Sequence, residues 1–84
     1  VDIDWEYPAD PTRGGRSIDT NNFTALLNEF RTAIDAEAKS TGKAALTLTI
    51  AAPAGVALRG LDLTKVSQPL DWINLMCYDF YGAW

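Results

Sequence analysis

Val1-Asp2-Ile3-Asp4-Trp5-Glu6-Tyr7-Pro8 opens the chain with carboxyls at positions 2, 4 and 6 and apolar groups at 1, 3 and 5. Successive side chains of a strand point to opposite faces. This spacing therefore stacks three acids on one side and Val1, Ile3 and Trp5 on the other. Two readings compete. An amphipathic strand can simply show its acids to water, as half-exposed sheets do. Alternatively the acids face a confined space, where like charges cannot all ionise and at least one keeps its proton near neutral pH. Bulky Ile3 and Trp5 alternate with the acids, and Asp and Glu are poor strand formers. Sequences that break a local rule often do so at a functional site.

The chain has 84 residues, a net charge of −4, no His, one Cys and three Trp. Its length allows one small domain at most. The acidic balance argues against nucleic acid as a partner, because phosphate binding needs clustered Lys and Arg. No apolar run approaches a membrane span, so no membrane association is expected. Cys77 stands alone, which leaves no disulfide framework and no metal-ligand spacing. Its apolar surroundings predict a buried thiol acting as a small hydrophobe. Without His there is no Ser-His or Cys-His nucleophile, and acid–base chemistry falls to carboxyls, Tyr or Lys. No cofactor is expected. No targeting segment is visible; with Val1 starting in mid-strand, the sequence reads as an excerpt from a longer protein.

Residues 9–20 carry Pro11, Gly14 and Gly15 with no periodicity, which predicts a loop. Thr20, Asn21 or Asn22 is expected to cap the helix that follows. Phe23, Leu26, Leu27, Phe30 and Ile34 recur at helical spacing, and Gly42 stands where a left-handed C-terminal cap belongs. Asn22-Phe23-Thr24 also fits a glycosylation acceptor, a pattern common by chance. Residues 46–52 alternate Leu or Ile with Thr and predict a strand ended by Pro53 and Gly55. A short helix over 63–67 is expected next, capped by Asp62 and closed by Gln68-Pro69. Residues 72–78 are almost continuously apolar, as in strands buried on both faces of a parallel sheet. Strands separated by helices imply an α/β fold with parallel crossovers, whose chemistry collects at the carboxyl ends of the strands. Glu6 and Tyr78 sit at two such ends, which favours the confined reading of the acids.

Asp2-Ile3-Asp4-Trp5-Glu6-Tyr7-Pro8 resembles the latter part of the Asp-x-x-Asp-x-Asp-x-Glu signature of glycoside hydrolase family 18, the chitinases. Met76-Cys77-Tyr78-Asp79-Phe80-Tyr81-Gly82-Ala83-Trp84 is similar to that family's second signature, Met-x-Tyr-Asp followed by Gly and Trp. Ala51-Ala52-Pro53-Ala54-Gly55 resembles the segment after the intervening strand. The likeness covers essentially the whole chain. It implies a partial (β/α)8 barrel, with strands four, five and six of a single catalytic domain held in residues 1–84. It also implies retaining, substrate-assisted hydrolysis of β-1,4-linked N-acetylglucosamine polymers, in which the substrate's acetamido oxygen attacks the anomeric carbon.

Carried over by position, Glu6 resembles the general acid that protonates the leaving oxygen and later activates water. Asp4 resembles the group that orients the acetamido N–H, with Asp2 below it sharing a proton. Neighbouring carboxyls on one strand face lie roughly 6–7 Å apart along the chain, a distance that side-chain lean can close. The trio would then titrate as a unit. Tyr78 resembles the donor to the acetamido carbonyl. Met76 and Asp79 resemble residues lining the same subsite, and Tyr7 and Trp84 resemble sugar contacts, since pyranose rings present C–H faces suited to flat aromatics. Ile3, Trp5, Trp72 and Leu75 read as structural.

The implied partner is chitin or a chitooligosaccharide, and an insoluble substrate implies an extracellular protein. Nothing in the sequence speaks to oligomeric state. Two other readings share the acidic signature: a chitinase-like lectin, which commonly lacks the acid that Glu6 supplies, and an endo-β-N-acetylglucosaminidase. The first Asp of the longer signature and the family's Ser-x-Gly-Gly segment lie outside the sequence. Three strands cannot close a barrel, so the piece alone is expected to be unstable and inactive.

Overall fold

The computed structural model describes residues 1–78. Strands β1 (Asp2–Ile3), β2 (Thr49–Pro53) and β3 (Trp72–Met76) form one sheet in that order. Both pairings are parallel. Helix α1 (Asp19–Thr41) joins β1 to β2, and the single turn α2 (Leu63–Val66) lies between β2 and β3. Short 3-10 turns, Pro11–Arg13 and Gly55–Gly60, follow the first two strands. The strand–helix alternation read from the sequence is therefore the chain's architecture, a segment of the kind from which (β/α)8 barrels are built.

Register explains what each face does. Ile3 pairs with Ile50 and Ile50 with Ile73, so three β-branched residues form one row across the sheet. That row meets Phe23 and Leu27 of α1 and Val66 of α2 in the core, with Ala52 and Leu61 completing it. Trp5 stands edge-on to Phe23, ring centroids 5.4 Å apart at 77°, an arrangement the ring quadrupoles favour. Ile3 and Trp5 thus serve the structural role their spacing predicts.

Two of the predicted caps are present, one ending α1 and one starting α2. Gly42 takes a left-handed φ of 69° and its N–H closes α1 on Ala38. The Asp62 carboxylate accepts the Lys65 N–H of α2. The start of α1 differs. Helix α1 begins at Asp19 after Ile18, with no side-chain cap from Thr20, Asn21 or Asn22. Thr20 instead donates its hydroxyl to the Gly60 carbonyl, 2.9 Å away, tying the helix to the loop after β2. Asp19 turns back to accept the Arg16 N–H at 2.8 Å. That bond holds its carboxyl below the ordinary range.

The strands are shorter than their sequence pattern. The ladder of β2 starts at Thr49, opposite Asp2, although Val1 still bonds the Thr47 carbonyl and the Thr49 N–H. Leu48 is bonded in both directions to Asp71 on the other side. The third strand ends at Met76 and is not buried on both faces: Trp72 and Leu75 are each 57% exposed. It is an edge among the described residues, paired with β2 alone, and only Ile73 of it packs against the core. Cys77, just beyond it, is exposed for the same reason, contrary to the buried thiol expected.

Candidate active site

Although β1 ends at Ile3, exposure still alternates beyond it: Ile3 and Trp5 pack towards the core while Asp2, Asp4 and Glu6 stay exposed. In β3, Met76 falls on the face opposite Ile73. Pro53 pairs with Met76 at the carboxyl end of the sheet. There a hollow of about 350 Å³ is lined by Glu6, Tyr7, Pro53, Ala54, Met76 and Tyr78, together with Asp10, Thr12, Arg13, Val56 and Ala57 from the loops. The ends of β2 and β3 and the segments that follow all three strands thus contribute side chains to one space. The Glu6–Tyr7 peptide bond is cis.

The acids are less enclosed than their alternation suggests. Asp2, Asp4 and Glu6 are all exposed, and Tyr78 is 84% exposed. The cause is geometric, since a three-stranded sheet has helices on one face and nothing among the described residues on the other. Asp2 accepts the Thr49 hydroxyl at 2.6 Å, so its nearest hydrogen-bonding partner is the neighbouring strand rather than Asp4. Thr49 itself is only 5% exposed, a methyl on one side and this bond on the other satisfying it. Asp4 and Glu6 have no side-chain hydrogen bond or ion pair among the described residues. Asp2 and Asp4 do not line the hollow. Asp79 and Trp84 lie outside the described residues.

The loop after β1 contributes residues that periodicity did not single out. Asp10 accepts both the backbone N–H and the hydroxyl of Thr12, at 2.9 and 2.6 Å. Those bonds, the hydroxyl foremost, hold the Asp10 carboxyl below its ordinary value. The Asp10 carbonyl accepts from Arg13 and Gly15 as well. A Cβ at Gly15 would stand 2.5 Å from the Asp10 nitrogen, and one at Gly60 would stand 2.1 Å from the Pro8 carbonyl oxygen. Both glycines are therefore required by close backbone approach. The signal was present in Asp10-Pro11-Thr12, an acid placed to cap a turn with Pro at its first position. Above it, the Arg13 guanidinium carbon lies 5.2 Å from the centroid of Tyr7.

Chemically, the hollow offers a carboxyl able to give and take a proton, a phenolic hydroxyl able to donate a hydrogen bond, and aromatic and apolar walls. Residues 1–84 match the family model of the glycosyl hydrolases family 18. Mouse (Mus musculus) chitotriosidase-1 is 42% identical over 85 residues, 99% of this chain and 18% of that protein. The crystal structure of the multi-modular chitinase ChiW of Paenibacillus superposes with a TM-score of 0.90 at 40% identity, over 99% of this chain and 10% of that one. A chitinase-like agglutinin of Robinia pseudoacacia superposes with a TM-score of 0.81 at 35% identity, over 95% of this chain and 23% of that one. The chain thus spans under a quarter of each of these relatives.

Proposed function

The chain belongs to family 18 of the glycosyl hydrolases, and on that premise we propose that it is one segment of the catalytic domain of a chitinase. The proposed reaction is retaining, substrate-assisted hydrolysis of β-1,4-N-acetylglucosamine linkages in chitin or chitooligosaccharides. The observation that carries it is the meeting of Glu6, Tyr7, Met76 and Tyr78 in one hollow at the carboxyl end of a parallel sheet. An exposed extracellular location suits such a substrate.

Glu6 gives its proton to the glycosidic oxygen as the C1–O bond breaks, and the acetamido carbonyl oxygen of the same sugar closes on C1. Tyr78 donates its hydroxyl to that acetamido group, holding it in line for attack. Asp4, one alternation below Glu6, takes the acetamido N–H and offsets the positive charge of the cyclic intermediate. Asp2, held by Thr49, supports Asp4 from beneath. Water then gives a proton to the Glu6 carboxylate and attacks C1 from the face the leaving group vacated, so configuration is retained. Tyr7 and Met76 supply apolar contact for the sugar, and Asp79 and Trp84 are assigned to the same subsite from their place in the motif.

Glu6→Gln in the full-length protein is expected to lower kcat by about 10³-fold or more while leaving chitooligosaccharide affinity within a fewfold, since only the proton is lost. Near-normal turnover would remove Glu6 from the role of acid. The likeness to a Robinia agglutinin supports a second reading, a barrel that binds chitooligosaccharide without cleaving it. Reducing-end release from colloidal chitin, set beside a calorimetric binding titration, separates the two: binding with no release supports the lectin.

A further inference from the structure

Arg13 has no place in the reaction as laid out above, yet it lines the same hollow as Glu6 and Tyr7. Its guanidinium carbon is 5.2 Å from the Tyr7 centroid, within the roughly 6 Å over which a cation is attracted to a ring face. The loop's other arginine is used differently. Arg16 pairs with the Asp19 carboxylate at 3.5 Å, leaving Arg13 as the cation given to an aromatic ring.

The turn that presents Arg13 is firmly built. Asp10 caps it through Thr12, the Arg13 N–H returns to the Asp10 carbonyl at 3.1 Å, and Gly14 ends it with a left-handed φ of 77°. Gly15 then packs its backbone against Asp10, where no side chain would fit. An exposed arginine on a slack loop would sample many directions; this one leaves its turn from a backbone fixed on both sides.

We propose that Arg13 is a positioning residue whose guanidinium, delivered by the Asp10-capped turn, holds the Tyr7 ring in place beside Glu6 for contact with a sugar. The inference rests on the reading of this hollow as a chitooligosaccharide site. Its physical content is preorganisation. A ring fixed before the substrate arrives spares the ordering cost that binding would otherwise carry. The planar guanidinium is suited to stacking on a ring face, where an ammonium acts only as a point charge.

The test is a double-mutant cycle in the full-length protein with Arg13→Met and Tyr7→Leu, read as kcat/KM on N-acetylchitooligosaccharides and as Kd by calorimetry. Arg13→Met alone is expected to weaken both by roughly two- to fivefold, the range of an exposed cation–π contact. In the Tyr7→Leu background the same change should have no effect, because the ring it positions is gone. Tyr7→Phe keeps the ring face, so Arg13→Met should still cost its two- to fivefold there. Arg13→Lys should recover only part of the loss. A loss from Arg13→Met that is the same with Leu at position 7 overturns the proposal and makes Arg13 a direct contact. So does an unchanged Kd and kcat/KM in the wild-type background, or a fall in melting temperature with no change in either. The proposal stands apart from the hydrolase reading: a protein that binds but does not cleave sinks that reading and still reports the coupling through Kd. A protein that neither binds nor cleaves overturns both.

Discussion

Glu6 and Tyr78 reach the hollow from the segments that follow the two outer strands of the sheet, so a one-atom change at either isolates one contribution. Tyr78→Phe removes a hydroxyl and keeps the ring. If that hydroxyl holds the acetamido group as charge develops, kcat in the full-length enzyme should fall by about 10²-fold, with KM moving far less. Equal changes in both would make Tyr78 a binding residue instead. In the core, Phe23 is 2% exposed and carries the edge-on contact with Trp5. Phe23→Ala leaves a cavity between α1 and the sheet and should cost about 3–5 kcal/mol in urea unfolding of the full-length protein. A cost below about 1 kcal/mol would mean that the site collapses around the gap. These positions were legible because strand alternation and helical spacing each repeat over several residues. Arg13 was not, since a cation–π contact between a loop and a strand end leaves no period to read.

At the scale of elements, the other end of the sheet is fastened by a clamp that no motif announced. Arg31 of α1 donates to the Pro69 carbonyl and the Asp71 carboxylate, both at 2.8 Å. Asp71 also accepts the Leu48 N–H at 2.8 Å and returns its own N–H to the Leu48 carbonyl. One carboxylate thus joins the approach to β2, the start of β3 and the middle of α1, which fixes the register of the second crossover. The Leu48 N–H, and after it Arg31, hold the Asp71 carboxyl below its ordinary 3.8. Its folded value is the lower one, so the unfolded chain takes up this proton first as acid is added. The stabilisation is complete above pH 3.8 and is lost as pH falls through the lowered folded value. Asp71→Asn should therefore flatten the acid limb of a urea-midpoint profile taken downward from pH 5. Arg31→Met should flatten that limb less than Asp71→Asn does, because the Leu48 bond remains. Equal flattening by both would assign the effect to the ion pair. Periodicity marked residues 46–52 as strand, but it could not show that the Leu48 N–H would go to the Asp71 side chain.

At the scale of the whole molecule, one sheet face is covered by helices and the other, with its acids, lies open among the described residues. The radius of gyration is 14.4 Å, against about 12 Å for a compact chain of this length. Val1, Leu46, Trp72 and Leu75 are each about half exposed. Among the described residues both β1 and β3 are paired on one side only, and unpaired strand edges invite association with other chains. The hollow shares this openness, and electrostatic and positioning effects on a leaving group weaken where bulk water has access. The 84-residue chain produced by itself is therefore expected to self-associate and to release no chromophore from a chromogenic chitobiose substrate. Sedimentation velocity should show species larger than the 9.2 kDa monomer, shifting upward with concentration. Restoring the flanking sequence should give a monodisperse species and, if Glu6 is the acid, activity that Glu6→Gln abolishes. A monomeric, active 84-residue chain would mean that the three strands enclose their acids without help, and that the open face seen here closes on the substrate itself.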